Sequence, residues 1–273
     1  MRVGNGRQMN NLGVRLISAG DIAGARAAFE AAIDAGDSRI TGRAAYNLGV
    51  LLAGQGEQDR ALAAFALAHR HSERAGSFNF GVMTASRGKL AEARTAFLAA
   101  ARARDKNIAR AARVQLAKVD ARLQYHAIAA EHGPRTAALA QINLGVILAE
   151  QFRDVTGARE EFRAAAASGH PEAAPVAAYN LGMLLEFEDG DLPGARDAYQ
   201  AAIDAGHPGV VPVAALKLGK LLERLGDAEG AQAAFATAGT NRAPQSFVKI
   251  GRGRDPGIPA DFYQYLTCDL GQA

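Results

Sequence analysis

Side chains able to do chemistry are sparse in this chain, and their spacing argues against most of it. Of six histidines, His69 and His71 are two residues apart, on different faces of any helix, and His126 and His132 have no Cys or Glu nearby at metal-ligand spacing. Exposed or helix-capping roles account for all six. Glu186, Glu188, Asp189 and Asp191 offer oxygens to a divalent cation, but they lack the ligand spacing of a calcium loop and fall at a helix end. Gly251-Arg252-Gly253 has neither the strand before it nor the helix after it that a dinucleotide site needs. Cys268, the one cysteine, has no convincing His partner. These residues predict a non-enzymatic chain with no metal and no cofactor.

Amides are more regular. Asn11, Asn47, Asn79, Asn143 and Asn180 each stand two residues before a glycine, in an Asn-Leu-Gly or Asn-Phe-Gly signature that Lys217-Leu218-Gly219 continues. Each amide carries a donor and an acceptor, so a row of them suits the backbone of an extended peptide; the plainer alternative is a bond to the neighbouring structural unit. Tyr46, Phe78 and Tyr179, with Val50, Val82, Ile142, Val146 and Met183, would make the surroundings apolar, which fits a hydrophobic or amphipathic segment. A second constellation is basic: Arg102, Arg104, Lys106, Arg110, Arg113, Lys118 and Arg122, interrupted by Asp105 and Asp120. Lys106, Arg110 and Arg113 share one helical face and could meet an acidic partner, although a solvated face is the commoner outcome. No aromatics interleave to stack on bases, so nucleic acid is not the expected partner.

Each signature is followed at constant order by an Ala and an aromatic: Ala25/Phe29, Ala61/Phe65, Ala93/Phe97, Ala158/Phe162, Ala195/Tyr199 and Ala231/Phe235. In the unit from Arg43 to Ala75, Ala45, Leu48, Leu51 and Leu52 recur at helical spacing and stop at Gly54-Gln55-Gly56. A second helix from about Gln58 carries Ala61, Leu62, Phe65 and Ala68 on one stripe, and the short connection makes the pair antiparallel. A glycine inside a helix costs about 1 kcal/mol relative to Ala, so the signature glycines require a close neighbour. The expected pairing is Gly49 against Ala61, with Phe65 filling the space beside them. Gly20-Asp21, Gly190-Asp191 and Gly226-Asp227 read as a helix stop followed by an N-cap, and Gly169-His170-Pro171 and Gly206-His207-Pro208 as turns. Helix is expected to begin near Arg7 or Met9.

The ordered set of Leu-Gly, a Leu three residues on, then Ala and Phe or Tyr resembles the tetratricopeptide repeat, with lengths stretched toward the related Sel1-like repeats. The resemblance covers roughly residues 7 to 240, and its specificity comes from six ordered copies. It implies an all-α fold, a right-handed α-solenoid of antiparallel helix hairpins whose first helices line a concave groove. It also implies a protein-interaction scaffold, with Asn11, Asn47, Asn79, Asn143, Asn180, Tyr46, Phe78 and Tyr179 as groove residues. The family's early Trp is absent, since the chain has none, and the basic residues of its carboxylate clamp have only scattered counterparts in Arg43, Lys118 and Lys220.

Residues 1–107 and 135–240 are expected to form two blocks of three hairpins. Between them, 108–134 would hold a truncated copy beginning near Gln115-Leu116-Ala117, with a kink at Gly133-Pro134; if 108 to 131 is one long helix, it is a spacer instead. The non-repeat tail 241–273, rich in Pro and carrying Phe262, Tyr263, Tyr265 and Leu266, is expected to cap the last hairpin, with folding back into the groove or pairing with a second copy as alternatives. A net charge of +3 permits acidic partners without demanding them, and a homodimer through the terminal hairpin or tail is one arrangement. With one cysteine and no long apolar run, no membrane partner is expected and the cytoplasm is the expected compartment. Two rival functions stand beside the scaffold: binding of nucleic acid or an acidic partner through the basic stretch, and an enzyme or small-molecule sensor with a pocket near the irregular repeat.

Overall fold

The structure, a computed structural model, describes residues 3–240. The tail 241–273, with Cys268 and its expected capping role, lies outside the described residues. All regular structure within them is helical: α1 (Val3–Ser18), α2 (Ile22–Asp34), α3 (Ser38–Gly54), α4 (Gln58–Arg70), α5 (Arg74–Ser86), α6 (Leu90–Ala100), α7 (Lys106–Glu150), α8 (Val155–Ala167), α9 (Ala173–Leu184), α10 (Leu192–Asp204), α11 (Val211–Leu225) and α12 (Ala228–Thr240). A π-helical turn, Leu185–Asp189, prolongs α9. The chain divides into two compact units, up to Leu123 and from Gln124 on.

In the first unit α1/α2, α3/α4 and α5/α6 form hairpins; α2 packs on α3 and α4 on α5, and the first helices α1, α3 and α5 touch in turn. Leu116, Val119 and Leu123 of α7 close this stack over Leu90 and Phe97. In the second unit the end of α7 pairs with α8, bringing Gly145 onto Phe162, and α9/α10 and α11/α12 follow. This is the expected all-α stack of hairpins.

Four of the second helices start on side-chain caps. Asp21, Asp154, Asp191 and Asp227 accept from the amides of Gly24, Gly157, Gly194 and Gly230 at 2.8, 3.1, 3.0 and 2.9 Å. His170 Nδ1 accepts from the Glu172 and Ala173 amides at 3.3 and 3.2 Å, and His207 Nδ1 from Gly209 at 3.2 Å, so these two histidines are caps. His69 is neither exposed nor a cap: its ring stacks on Phe80 at 5.4 Å and its Nδ1 lies 3.0 Å from the Ser77 hydroxyl. Burial first, then Arg74 and Arg70, hold its pKa below the ordinary value. The neutral ring is thereby favoured in the fold, so the stability it adds is present above about pH 6.5 and is lost as pH falls. An NMR titration is expected to show His69 protonating at lower pH than a free imidazole; an unshifted midpoint overturns this.

Two expectations are corrected. Helix begins at Val3, ahead of Arg7, because Gly6 nests against Ala35 and the Ala32 carbonyl at the end of α2, a contact that outweighs poor local propensity. The span 108–131 is helical without a turn, so Gln115-Leu116-Ala117 heads no hairpin. The break falls at Gly133, with φ 84° and ψ 179°, and Pro134 starts the stretch that carries Asn143.

Candidate functional site

The signature glycines do not face alanines. A Cβ on Gly13, Gly49, Gly81, Gly145 or Gly182 would come within 2.5–2.7 Å of the ring of Phe29, Phe65, Phe97, Phe162 or Tyr199, and Gly219 stands in the same relation to Phe235. The pairing expected between Gly49 and Ala61 is therefore corrected: the ring lies on the glycine itself. The aromatics expected on the groove wall lean on the same rings, with centroids 6.3 Å apart for Tyr46 and Phe65, 5.9 Å for Phe78 and Phe97, and 6.0 Å for Tyr179 and Tyr199. Tyr179 is buried, and Tyr46 and Phe78 are half-buried.

The amides divide by depth. Asn11 is exposed and Asn47 and Asn79 are half-buried, whereas Asn143 and Asn180 are buried, Asn143 completely. Asn47 Nδ2 donates to Asn10 Oδ1 of the preceding first helix at 3.0 Å, a strut between hairpins. Burial takes Asn143 out of reach of a ligand, a correction to the expected row; its substitution acts on packing before it acts on capture. Successive first helices also expose an apolar residue at one register position. Val14, Val50 and Val82, each directly after a signature glycine, are 47%, 47% and 41% exposed and form one stripe across α1, α3 and α5. Val50 and Val82 are among the residues expected on the groove; Val14 was missed although it holds the same register position.

The second unit carries a cleft of about 430 Å³. Val146, Ala149, Glu150 and Arg153 form one side, Met183, Leu184, Phe187 and Glu188 the other, and Phe162 and Tyr179 contribute aromatic surface. It belongs to the fourth and fifth hairpins, away from the irregular stretch where a sensor pocket was considered. Phe187 is 58% exposed, and the Lys217 ammonium sits 5.4 Å from its ring centroid.

The family model described as tetratricopeptide repeat matches residues 10–79 and 151–210, which take in repeated hairpins of each unit. These hairpins are tetratricopeptide repeats. Nothing in the match singles out the Sel1-like branch. No curated protein matches the chain by sequence. Among solved structures, the P58(IPK) TPR domain is 19% identical over 88% of this chain, with a TM-score of 0.41; this chain spans 61% of that one, less than two thirds. PilF of Pseudomonas aeruginosa is 17% identical over 85% of this chain and 90% of its own, with a TM-score of 0.33. MamA of Desulfovibrio magneticus RS-1 is 19% identical over 77% and 99%, with a TM-score of 0.33.

Several of the charged groups that the sequence singles out are engaged within the hairpins. The acidic run is taken apart by the tetratricopeptide hairpins: Glu186 accepts from the buried Tyr199 hydroxyl at 2.8 Å and pairs with Arg224, Asp189 accepts from Arg159 Nε at 3.0 Å, and Asp191 caps α10. Among the described residues no group of three His, Cys, Asp or Glu is placed to hold a metal ion. In the basic stretch Lys106, Arg110 and Arg113 are exposed on one face of α7, while Lys118 and Arg122 are half-buried and Asp120 pairs with Arg94 at 2.7 Å. Among the described residues no helix is long and apolar enough to cross a membrane.

Proposed function

We propose that the chain is a non-enzymatic scaffold that captures a protein segment along the first-helix face of the first unit, on the Val14, Val50 and Val82 stripe with Asn11, Asn47 and Asn79 beside it. The stripe is the observation that carries this reading. Three large apolar side chains left in water at one register position are unfavourable alone and become favourable once covered. Packed helices lie about 8–10 Å apart, and one three-residue turn of a polyproline II chain, which brings every third side chain to the same side, spans nearly the same distance at about 3.1 Å per residue. The stripe therefore suits a segment with an apolar side chain at every third position, its backbone meeting the amides between them.

Panning a random-peptide library on the full chain tests this. Wild-type protein is expected to enrich segments with that spacing, and Val50→Asp to weaken the selected peptides roughly tenfold or more without loss of helical signal. No enrichment, or enrichment indifferent to Val50→Asp, overturns the reading. Capture that falls steeply with salt and depends on Arg110 and Arg113 would move the site to the basic face of α7.

A further inference from the structure

Two of the six hairpins depart from the repeat at one place. Eight residues separate the signature glycine from the cap position in Gly13/Asp21, Gly49/Glu57, Gly81/Lys89 and Gly219/Asp227, and nine in Gly145/Asp154 and Gly182/Asp191. The backbone records the extra residue. The amides of Asp21, Glu57, Lys89 and Asp227 bond carbonyls five residues back, at Leu16, Leu52, Thr84 and Leu222, whereas those of Asp154 and Asp191 reach six back, to Leu148 and Leu185. One insertion widens the turn after Glu150, whose left-handed position, a glycine in the other five hairpins, is held by Arg153 with a φ of 53°, unfavourable for a side-chain-bearing residue; the other is absorbed by the π-turn Leu185–Asp189. Both widened turns border the same cleft, and the second carries the exposed Phe187 to its edge. The other four hairpins show that the fold does not need these insertions, so they point to something seated between them.

We propose that the occupant is the chain's own C-terminal segment Asp261–Leu266, with a tyrosine ring in the cleft. Within residues 241–273 this stretch gathers Phe262, Tyr263, Tyr265 and Leu266. In extended form Tyr263 and Tyr265 project from one side, Phe262 and Leu266 from the other. The cleft offers what a phenol needs: apolar surface from Val146, Met183 and Phe162 for the ring, and the exposed carboxylates of Glu150 and Glu188 to accept from the hydroxyl. Arg153 and Lys217 supply cations for Asp261. Reach is ample. Position 262 lies 22 residues beyond the end of α12, up to about 70 Å when extended, while neighbouring helices are only about 8–10 Å apart. Tethering raises the local concentration of the segment to the millimolar range, so a contact too weak to persist between free molecules is populated here, and an external ligand must displace it. This inference does not depend on capture by the first unit.

The chain contains no Trp, so Tyr265→Trp in the full-length protein creates a single fluorescent reporter. Its emission is expected to be blue-shifted and shielded from acrylamide. Adding Ala149→Arg, which fills the cleft from α7, is expected to return emission to that of a solvent-exposed indole and raise the quenching constant several-fold; Val50→Asp in the first unit should leave both unchanged. Tyr263→Trp is read the same way, since a single replacement can spoil the fit. Solvent-like emission from both reporters, or a shielded indole that ignores Ala149→Arg, overturns the proposal. A blue shift that vanishes on dilution also overturns it, because the occupant is then a second copy.

Discussion

Phe65→Ala is expected to destabilise its hairpin by about 3–5 kcal/mol. The ring is 3% exposed, packs among Leu48, Leu51, Leu52 and Ala61, and lies on the bare backbone of Gly49. Truncation leaves a cavity that Gly49, with no side chain, cannot refill, and Tyr46 on the ring's flank loses its neighbour. The converse substitution probes the same contact. Gly49→Ala gains about 1 kcal/mol of helix propensity, but its Cβ would stand 2.6 Å from Phe65, and overpacking of that kind costs about 1–3 kcal/mol. The net change is therefore destabilising, unlike Gly→Ala at an open helical site. Gly49→Ala combined with Phe65→Leu is expected to cost less than the two single changes together, since the smaller side chain makes room for the methyl. Chemical denaturation gives the midpoints, and hydrogen exchange in α3 and α4 locates the loss, because an array of repeats need not unfold in one step. An unchanged midpoint for Phe65→Ala would place the ring outside the hairpin interior and undo the register for all six copies.

The features legible in the sequence were those with a period. Leu48, Leu51 and Leu52 in one helix and Ala61 and Phe65 in the next announced a hairpin, and Gly20-Asp21 and Gly226-Asp227 announced its turns; the observed helices and caps follow. What glycine faces was not legible from spacing alone, since Ala61 and Phe65 are both on the inner stripe and only the reach of the ring decides between them. The long run of α7 was signalled by an absence of turn chemistry: no Gly or Pro occurs from Lys106 to His132. A damaged signature at Gln115 outweighed that signal. The amide row misled at Asn143 for a related reason. Ile142, Leu144 and Ile147 surround it with apolar residues on more than one face, so periodicity could not say which side turns inward, and packing turned the amide in. The cleft has its own signal in the sequence, since the nine-residue interval from Gly145 to Asp154 and from Gly182 to Asp191 is plain in the residue numbers.

Glu186→Ala is expected to lower the stability of the second unit chiefly through a residue it does not replace. The Glu186 side chain is buried at the start of the π-turn and holds Tyr199 of its own hairpin through Oε2 and Arg224 of the next through Oε1. Tyr199 is fully buried, so removal of its acceptor strands a hydroxyl away from water, at about 1–3 kcal/mol. Arg224 keeps about half its side chain in solvent, so its lost pairing adds at most about 1 kcal/mol. The expected order is thus Glu186→Ala well above Arg224→Ala, with Tyr199→Phe near 1 kcal/mol because it removes donor and demand together. In the double variant Glu186→Ala/Tyr199→Phe the stranded hydroxyl is gone, so the cost should fall below the sum of the single changes. Alkaline pH gives an independent reading. Burial, then the hydrogen bond to Glu186, raise the Tyr199 pKa far above its ordinary value. The phenol stays protonated in the fold while the unfolded chain ionises from about pH 10, so this stabilisation is complete below that pH and is lost progressively above it. Unfolding midpoints measured from pH 8 to 11 should fall more steeply for the wild type than for Tyr199→Phe; parallel profiles would show that the hydroxyl carries no such linkage.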